Sequence, residues 1–290
     1  MGSEKKNTLS LKFKLPRMDT MLTLNIKITP CKKNNFICRY GQILDLLNTS
    51  VDVSTLVALS QYYDPPLICF TFKDFQLAPT IEEYEKLLGW YVKDHSPFTK
   101  LGELLMPELV AEALHLYVEE VSFGLGPRGF SRKFLEDKAW ALDKEGKLLP
   151  FSDILALLIY GVVLFPNDDD YINHSIISVF VSGNHVPALV SDVYYCLHTR
   201  HKKRKGVVLS CASLLYTWLL SHMPQKEPWV DFLKDLRWSQ KFASLTAKDL
   251  VWYLPTSNID QVIMSCGNFP NVPLMGPQGC INYNPLLAMR

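Results

Sequence analysis

Six consecutive residues, Arg200-His201-Lys202-Lys203-Arg204-Lys205, form the strongest cluster of charge in the sequence. Lysine and arginine side chains bind phosphate groups, and short runs of them also serve as nuclear-import signals. Arg200, Lys202, Lys203, Arg204 and Lys205 are therefore the candidate residues for nucleic-acid contact or nuclear import. The alternative is an ordinary solvated loop between two helices, because such loops often carry charge.

The closest group of metal-binding residue types is Cys196, His198 and His201. Structural zinc needs four ligands at suitable spacing, and the sequence has no second Cys/His pair that would complete a site with this group. We expect a buried cysteine, solvated histidines, and neither metal nor cofactor. The run Asp168-Asp169-Asp170 could attract a divalent cation, but such sites draw carboxylates from several elements. We therefore predict a solvated loop there.

The sequence contains none of the common catalytic signatures. There is no Gly-x-Ser-x-Gly nucleophile motif, and the glycine-rich segment 124–129 has neither the spacing nor the preceding strand of a phosphate-binding loop. We therefore expect a non-enzymatic protein. A degenerate enzyme is the alternative, and it would require acidic side chains to converge in a pocket.

Composition indicates a globular protein in a reducing compartment. Hydrophobic residues make up 48% and charged residues 20%, which excludes a disordered chain. The seven cysteines form no Cys-x-x-Cys pair, and no apolar run reaches the ~20 residues that span a bilayer. We expect a soluble protein of the nucleus or otherwise the cytoplasm, with no membrane contact.

Charge is unevenly distributed along the chain. Residues 1–40 hold nine Lys/Arg and two acids, a net of +7, whereas residues 41–290 hold 21 and 27, a net of −6. Affinity for a polyanion would therefore come from the N-terminal arm or from the 200–205 cluster.

The N-terminal arm, residues 1–34, shows the alternation of apolar and polar residues typical of strands. Leu9–Leu15 and Leu22–Ile28 both have a period of two, with Pro16 and Pro30 as expected stops. The arm is either a β-hairpin or a basic segment without fixed structure.

The remainder, residues 35–290, is dominated by helical spacing. The sequence predicts a mainly α, multi-helix globular domain with a few short β-strands near the N- and C-termini. Thr80 and Glu83 have the spacing of a capping box at a helix start, and Ser152-Asp153 is predicted to open an apolar helix that runs to Phe165. The 200–205 cluster is predicted to be a turn between the helices Val186–Leu197 and Val207–Met223, with the second helix at the centre of the core.

Several segments resemble the plant mobile domain family, in the branch associated with retrotransposons. The segments that carry the resemblance are Tyr40-Gly41-x-Ile43-Leu44, Phe70-Thr71-Phe72-x-Asp74-Phe75-x-Leu77-x-Pro79-Thr80-Ile81-Glu82-Glu83-Tyr84, Leu88-Gly89, Cys211-x-x-Leu214-Leu215-Tyr216-x-Trp218-Leu219, Leu236-Arg237-Trp238, Val272-Pro273-Leu274, and Asn284-Pro285-x-Leu287-Ala288-x-Arg290.

The resemblance implies a helical domain of transposable-element origin whose host relatives act in the nucleus. Asn284-Pro285 has the pattern of a new helix start, and the chain stops soon after it, so we expect that residues 35–290 are truncated at the C-terminus. The leading hypothesis is a non-enzymatic interaction domain that acts through protein partners. The second is direct nucleic-acid binding through the basic arm and the 200–205 cluster.

Overall fold

The computed structural model describes residues 8–91, 105–224, 236–252 and 272–284. The predicted mainly α fold with short strands near both ends is confirmed. The described helices are α1 Asp19–Ile26, α2 Pro30–Tyr40, α3 Val53–Ser60, α4 Ile81–Leu88, α5 Pro107–Leu114, α6 Val118–Gly124, α7 Arg132–Lys144, α8 Leu148–Ile159, α9 His174–Ser182, α10 His185–Lys203, α11 Ala212–His222 and α12 Trp238–Ser244.

Short strands connect and brace these helices. The described strands are β1 Ser10–Phe13, β2 Tyr63–Asp64, β3 Cys69–Thr71, β4 Gln76–Leu77, β5 Leu125–Gly126, β6 Gly129–Ser131, β7 Tyr171–Ile172, β8 Lys205–Val208, β9 Val272–Gly276 and β10 Gly279–Tyr283. They form two-stranded sheets β1-β8 and β9-β10 and three-stranded sheets β2-β3-β4 and β5-β6-β7. No helix in the described part of the chain has the length and apolar character needed to cross a membrane.

The predicted N-terminal hairpin is wrong. β1 is a strand as predicted, but it pairs in parallel with β8, and the second predicted strand is helix α1. Met21, Leu24 and Ile28 are buried while Ile26 is 82% exposed, so the spacing that matters is helical and the alternation is incidental.

The predicted boundary between residues 34 and 35 lies inside α2. Pro30 begins this helix, where its missing N–H costs no hydrogen bond. Phe13 and Met21 from the arm belong to the same buried cluster as the rest of the core.

The centre of the core consists of α8, α10 and α11. The apolar helix predicted to end at Phe165 is buried throughout its apolar run, and a π-helical turn, Tyr160–Leu164, extends α8. Its predicted start is wrong, because α8 begins at Leu148 and Asp153 lies inside it. α11 is central as predicted, with Trp218 fully buried.

Of two capping-box patterns in the sequence, the one at Thr80 begins a helix and the one at Thr246 does not. The capping box of Thr80 and Glu83 at the start of α4 is present, and Gly89 ends that helix in the left-handed conformation. Thr246 and Asp249 also have capping-box spacing, which predicts a helix over Thr246–Leu254. Thr246 donates to Asp249, but residues 247–249 form a turn. The sequence also predicts a short helix over Pro228–Leu236, a strand over Gln261–Cys266 and a helix that begins at Pro285; apart from Leu236, these segments lie outside the described residues.

The hairpin β9-β10 packs directly on α10, and its two strands agree with the short strands predicted near the C-terminus. The Ser191 hydroxyl lies 3.1 Å from Leu274 O and 3.2 Å from Gly279 O, both in the hairpin. A Cβ at Gly276 would lie 2.9 Å from the Ala188 carbonyl oxygen on α10. The close approach of hairpin and helix therefore requires glycine at this position.

We predict that Gly276→Ala lowers the free energy of unfolding by about 1–3 kcal/mol, because the helix carbonyl cannot move away from the added methyl group. Urea unfolding followed by circular dichroism measures this. The matched control is Gly126→Ala, whose Cβ would meet its nearest atom at 3.7 Å. An equal loss of stability in both variants would contradict the packing argument.

Candidate functional site

The structure divides the 200–205 cluster between a helix and a strand, so the predicted turn is wrong. α10 continues to Lys203, Arg204 is the left-handed residue that ends it, and Lys205 begins β8. Cations in the last turn interact favourably with the negative end of a helix dipole. The basic residues therefore extend the helix instead of interrupting it.

Strand pairing brings the N-terminal arm to this cluster. Ser10 N donates to Arg204 O at 3.2 Å, and Ser10 pairs with Lys205 in the parallel sheet. Successive side chains of a strand point to opposite faces, and Leu11 and Phe13 point into the core. Lys12 and Lys205 therefore share the outward face.

We define the basic surface as Lys12, Lys202, Lys203, Arg204 and Lys205. All five residues are exposed. None of them forms an ion pair within the described residues. The surface therefore presents five cations from two segments that are far apart in sequence.

Arg200, the remaining candidate residue, is not part of the basic surface and packs against the chain itself. It is partly buried, and its guanidinium packs over Gly206, where a Cβ would lie 3.2 Å from Arg200 Nη1. Gly206 also has a φ of +117°, a conformation that favours glycine. Arg200 thus supports the junction between α10 and β8.

The acidic loop 168–170 lies beside the end of β1. Asp169 forms an ion pair with Lys14, and Asp168 with Arg128 at 2.5 Å. The hydrogen bond from Lys14 holds the pKa of Asp169 below its ordinary value. An open cleft of about 340 Å³ is lined by these acids, Lys14, Pro16 and Leu209. Two of the three carboxylates are therefore already neutralised by cations of the chain itself.

The three metal-ligand candidates do not converge. Cys196 Sγ lies 3.1 Å from both Leu209 O and Gln278 Oε1, and burial raises the pKa of this thiol to about 12. His201 Nε2 lies 2.7 Å from Ser60 O, and burial lowers the pKa of His201. His198 is exposed. Within the described ranges no group of three or more His, Cys, Asp or Glu residues could hold a metal ion.

Sequence reasoning missed a polar cluster around Asp153. This fully buried carboxylate accepts a hydrogen bond from the Tyr40 hydroxyl at 2.6 Å, lies 2.7 Å from His115 Nδ1, and forms an ion pair with Arg39. Burial, reinforced by Asp153, raises the pKa of Tyr40, so its hydroxyl remains a donor. The sequence does contain a sign of this cluster, because Asp153 is the single charge in the apolar run 151–165 and a buried charge needs polar partners.

A second polar network joins the start of α4 to α11. Glu83 Oε2 accepts hydrogen bonds from Thr80 N at 3.0 Å and from Trp218 Nε1 at 2.9 Å. Glu83 Oε1 lies 2.9 Å from His222 Nε2, and His222 Nδ1 lies 2.9 Å from Val251 O. One carboxylate therefore fastens α4 to α11.

Both ring nitrogens of His222 face acceptors, which favours the doubly protonated imidazolium. Burial opposes this charge, but the hydrogen bond and the charge of Glu83 outweigh it. The pKa of His222 is therefore raised above its ordinary value of 6.5.

Comparison with known families identifies the domain without assigning an activity. Residues 21–290 match a family model described as a domain of unknown function, DUF7745. The chain belongs to this family. No match was found among curated proteins or among solved structures. The DUF7745 match includes residues 202–205 and begins after β1, so Lys12 lies outside the matched residues.

We predict that the pair of Glu83 and His222 makes stability depend on pH. The folded-state pKa of His222 is raised, so protonated His222 adds to the free energy of unfolding. This stabilisation is full below about pH 6.5 and is lost as pH rises through the higher folded-state pKa. His222→Gln keeps a donor for Glu83 but cannot titrate. The difference in free energy of unfolding between wild type and this variant should narrow as pH rises, and a difference that widens with pH would contradict the assignment.

Proposed function

We propose that the chain is a non-catalytic interaction domain that binds nucleic acid through the basic surface. The observation that carries this proposal is the pairing of β1 with β8. It places Lys12, from the basic arm, on the same outward face as Lys205, from the 200–205 cluster. The two segments named by the nucleic-acid hypothesis thus form one surface.

The charge of this surface suits a phosphate backbone. Its five cations lack ion-pair partners in the described part of the chain, so phosphate contacts would replace bound water and not an existing carboxylate. Each phosphate that a protein neutralises releases condensed counterions, which favours binding at low salt. Lysine and arginine tips on phosphates carry no base-sequence information, so the proposed binding is tolerant of sequence.

An enzyme is the alternative, and the pair of His115 and Asp153 is the arrangement on which it would depend. A buried carboxylate that orients a histidine is part of several catalytic sites. Here the same carboxylate also bonds Tyr40 and Arg39, and so links α2 and α8 to the end of α5. These contacts favour a structural role.

Nuclear location and an origin in a transposable element belong to the same proposal. They are supported by the resemblance to plant mobile domains and by the exposure of Lys202 to Lys205, which is the run with the import pattern.

We predict that replacing Lys12, Lys203 and Lys205 by glutamine weakens binding to a DNA duplex of about 20 base pairs by roughly tenfold or more at ~0.1 M salt. The slope of log affinity against log salt should become shallower by about 0.9 for each phosphate that the variant no longer neutralises. Fluorescence anisotropy measures both quantities.

The matched control replaces Lys73, Lys133 and Lys144 by glutamine. These lysines are also exposed, so the control removes the same charge outside the basic surface. Circular dichroism checks that both triple variants fold. Equal weakening in the two variants, salt-independent binding, or no binding by the wild type would each overturn the proposal.

A further inference from the structure

Large apolar side chains are concentrated on the outer side of α5 and α6. Phe123 is 87% exposed, Tyr117 73%, Met106 60% and Leu109 48%. Scattered apolar residues are common on protein surfaces, but a contiguous apolar group with a polar rim indicates an interaction site. Leu109 lies on α5 and Phe123 on α6, while Met106 and Tyr117 directly precede these two helices, which are joined by the short link His115–Tyr117.

The same group extends to the start of α8. Leu148 and Leu149 are 40% and 46% exposed. α5 packs against both α6 and α8, and Lys147, the residue before Leu148, lies near Tyr117 and Glu120.

Exposed acids alternate with these apolar residues. Glu108 and Glu112 flank Leu109 on α5, and Glu119 lies one helical turn before Phe123 on α6. All three are exposed and form no ion pair among the described residues. Glu120, in contrast, is paired with Lys138.

We define the α5–α6 face by two sets of side chains. The apolar set is Met106, Leu109, Tyr117, Phe123, Leu148 and Leu149, and the acidic set is Glu108, Glu112 and Glu119. This face lies apart from the basic surface in sequence and has the opposite charge.

We propose that the α5–α6 face docks a basic amphipathic helix of a partner protein. Such a helix carries apolar anchors at i, i+3, i+4 and i+7 and Lys or Arg beside them. The anchors would cover Phe123 and Leu149, and the cations would meet the carboxylates of the acidic set. Charge complementarity favours this occupant over a second copy of the chain, because two α5–α6 faces would oppose three glutamates to three glutamates.

Binding of a labelled synthetic helix, with Leu at those anchor positions and Lys elsewhere, tests the proposal. We expect it to bind at least ten times more tightly than a scrambled peptide of the same composition or a Leu/Glu counterpart. Phe123→Ser should weaken the binding of the Leu/Lys helix at least tenfold. Replacing Glu108, Glu112 and Glu119 by glutamine should also weaken it and reduce its dependence on salt.

The matched control is Ile26→Ser, which removes an 82% exposed apolar residue from α1 and should leave binding unchanged. The Lys12, Lys203 and Lys205 triple variant should bind the Leu/Lys helix normally, so failure of nucleic-acid binding and failure of this proposal are distinguishable.

Three results would overturn the proposal that the α5–α6 face docks a basic helix. The first is equal binding of the Leu/Lys helix and its scrambled form. The second is self-association of the wild type that Phe123→Ser abolishes. The third is a lower urea midpoint for Phe123→Ser than for Ile26→Ser, since Phe123 would then be covered by the chain itself.

Discussion

The burial of α10 is the constraint on which the rest of the structure depends. Its residues from His185 to Tyr194 are buried, whereas its last turn is solvated and cationic. A helix fixed in the core at one end must project its other end at a defined place on the surface. Because β8 follows directly, the position of the strand that pairs with β1 is fixed by the same helix.

The buried half of α10 also supports the C-terminal hairpin. Gln278 donates to both carboxylate oxygens of Asp192, at 3.2 and 3.0 Å, and burial raises the pKa of Asp192 to about 7. In the same way, the hydrogen bonds that Glu83 accepts from Thr80 and Trp218 hold α4 against α11. Thr80, Glu83 and Trp218 are thus joined for structural reasons.

Local signals in the sequence predicted the mainly α class and the start of α4, because caps and apolar spacing act within a few residues. They failed where distant segments decide the outcome. Residues 22–28 fit both a strand and a helix, and only packing against the core selects the helix. The pairing of Ser10 with Lys205 has no local signal, so the sequence supplied the candidate cations but not the surface they form. Asp153 was placed at a helix start, because a lone acid beside a serine resembles a cap when its distant partners Tyr40 and His115 are not considered.

If the two basic segments act as one surface, duplex DNA should cover both of them together. Lysine-reactivity footprinting by mass spectrometry, with and without duplex DNA, reports each lysine separately. We expect Lys12, Lys202, Lys203 and Lys205 to become protected together and to regain reactivity at high salt, while Lys73 and Lys144 remain reactive throughout. If Lys12 stays as reactive as in the free protein, or if all lysines are protected alike, the two segments do not act as one binding surface.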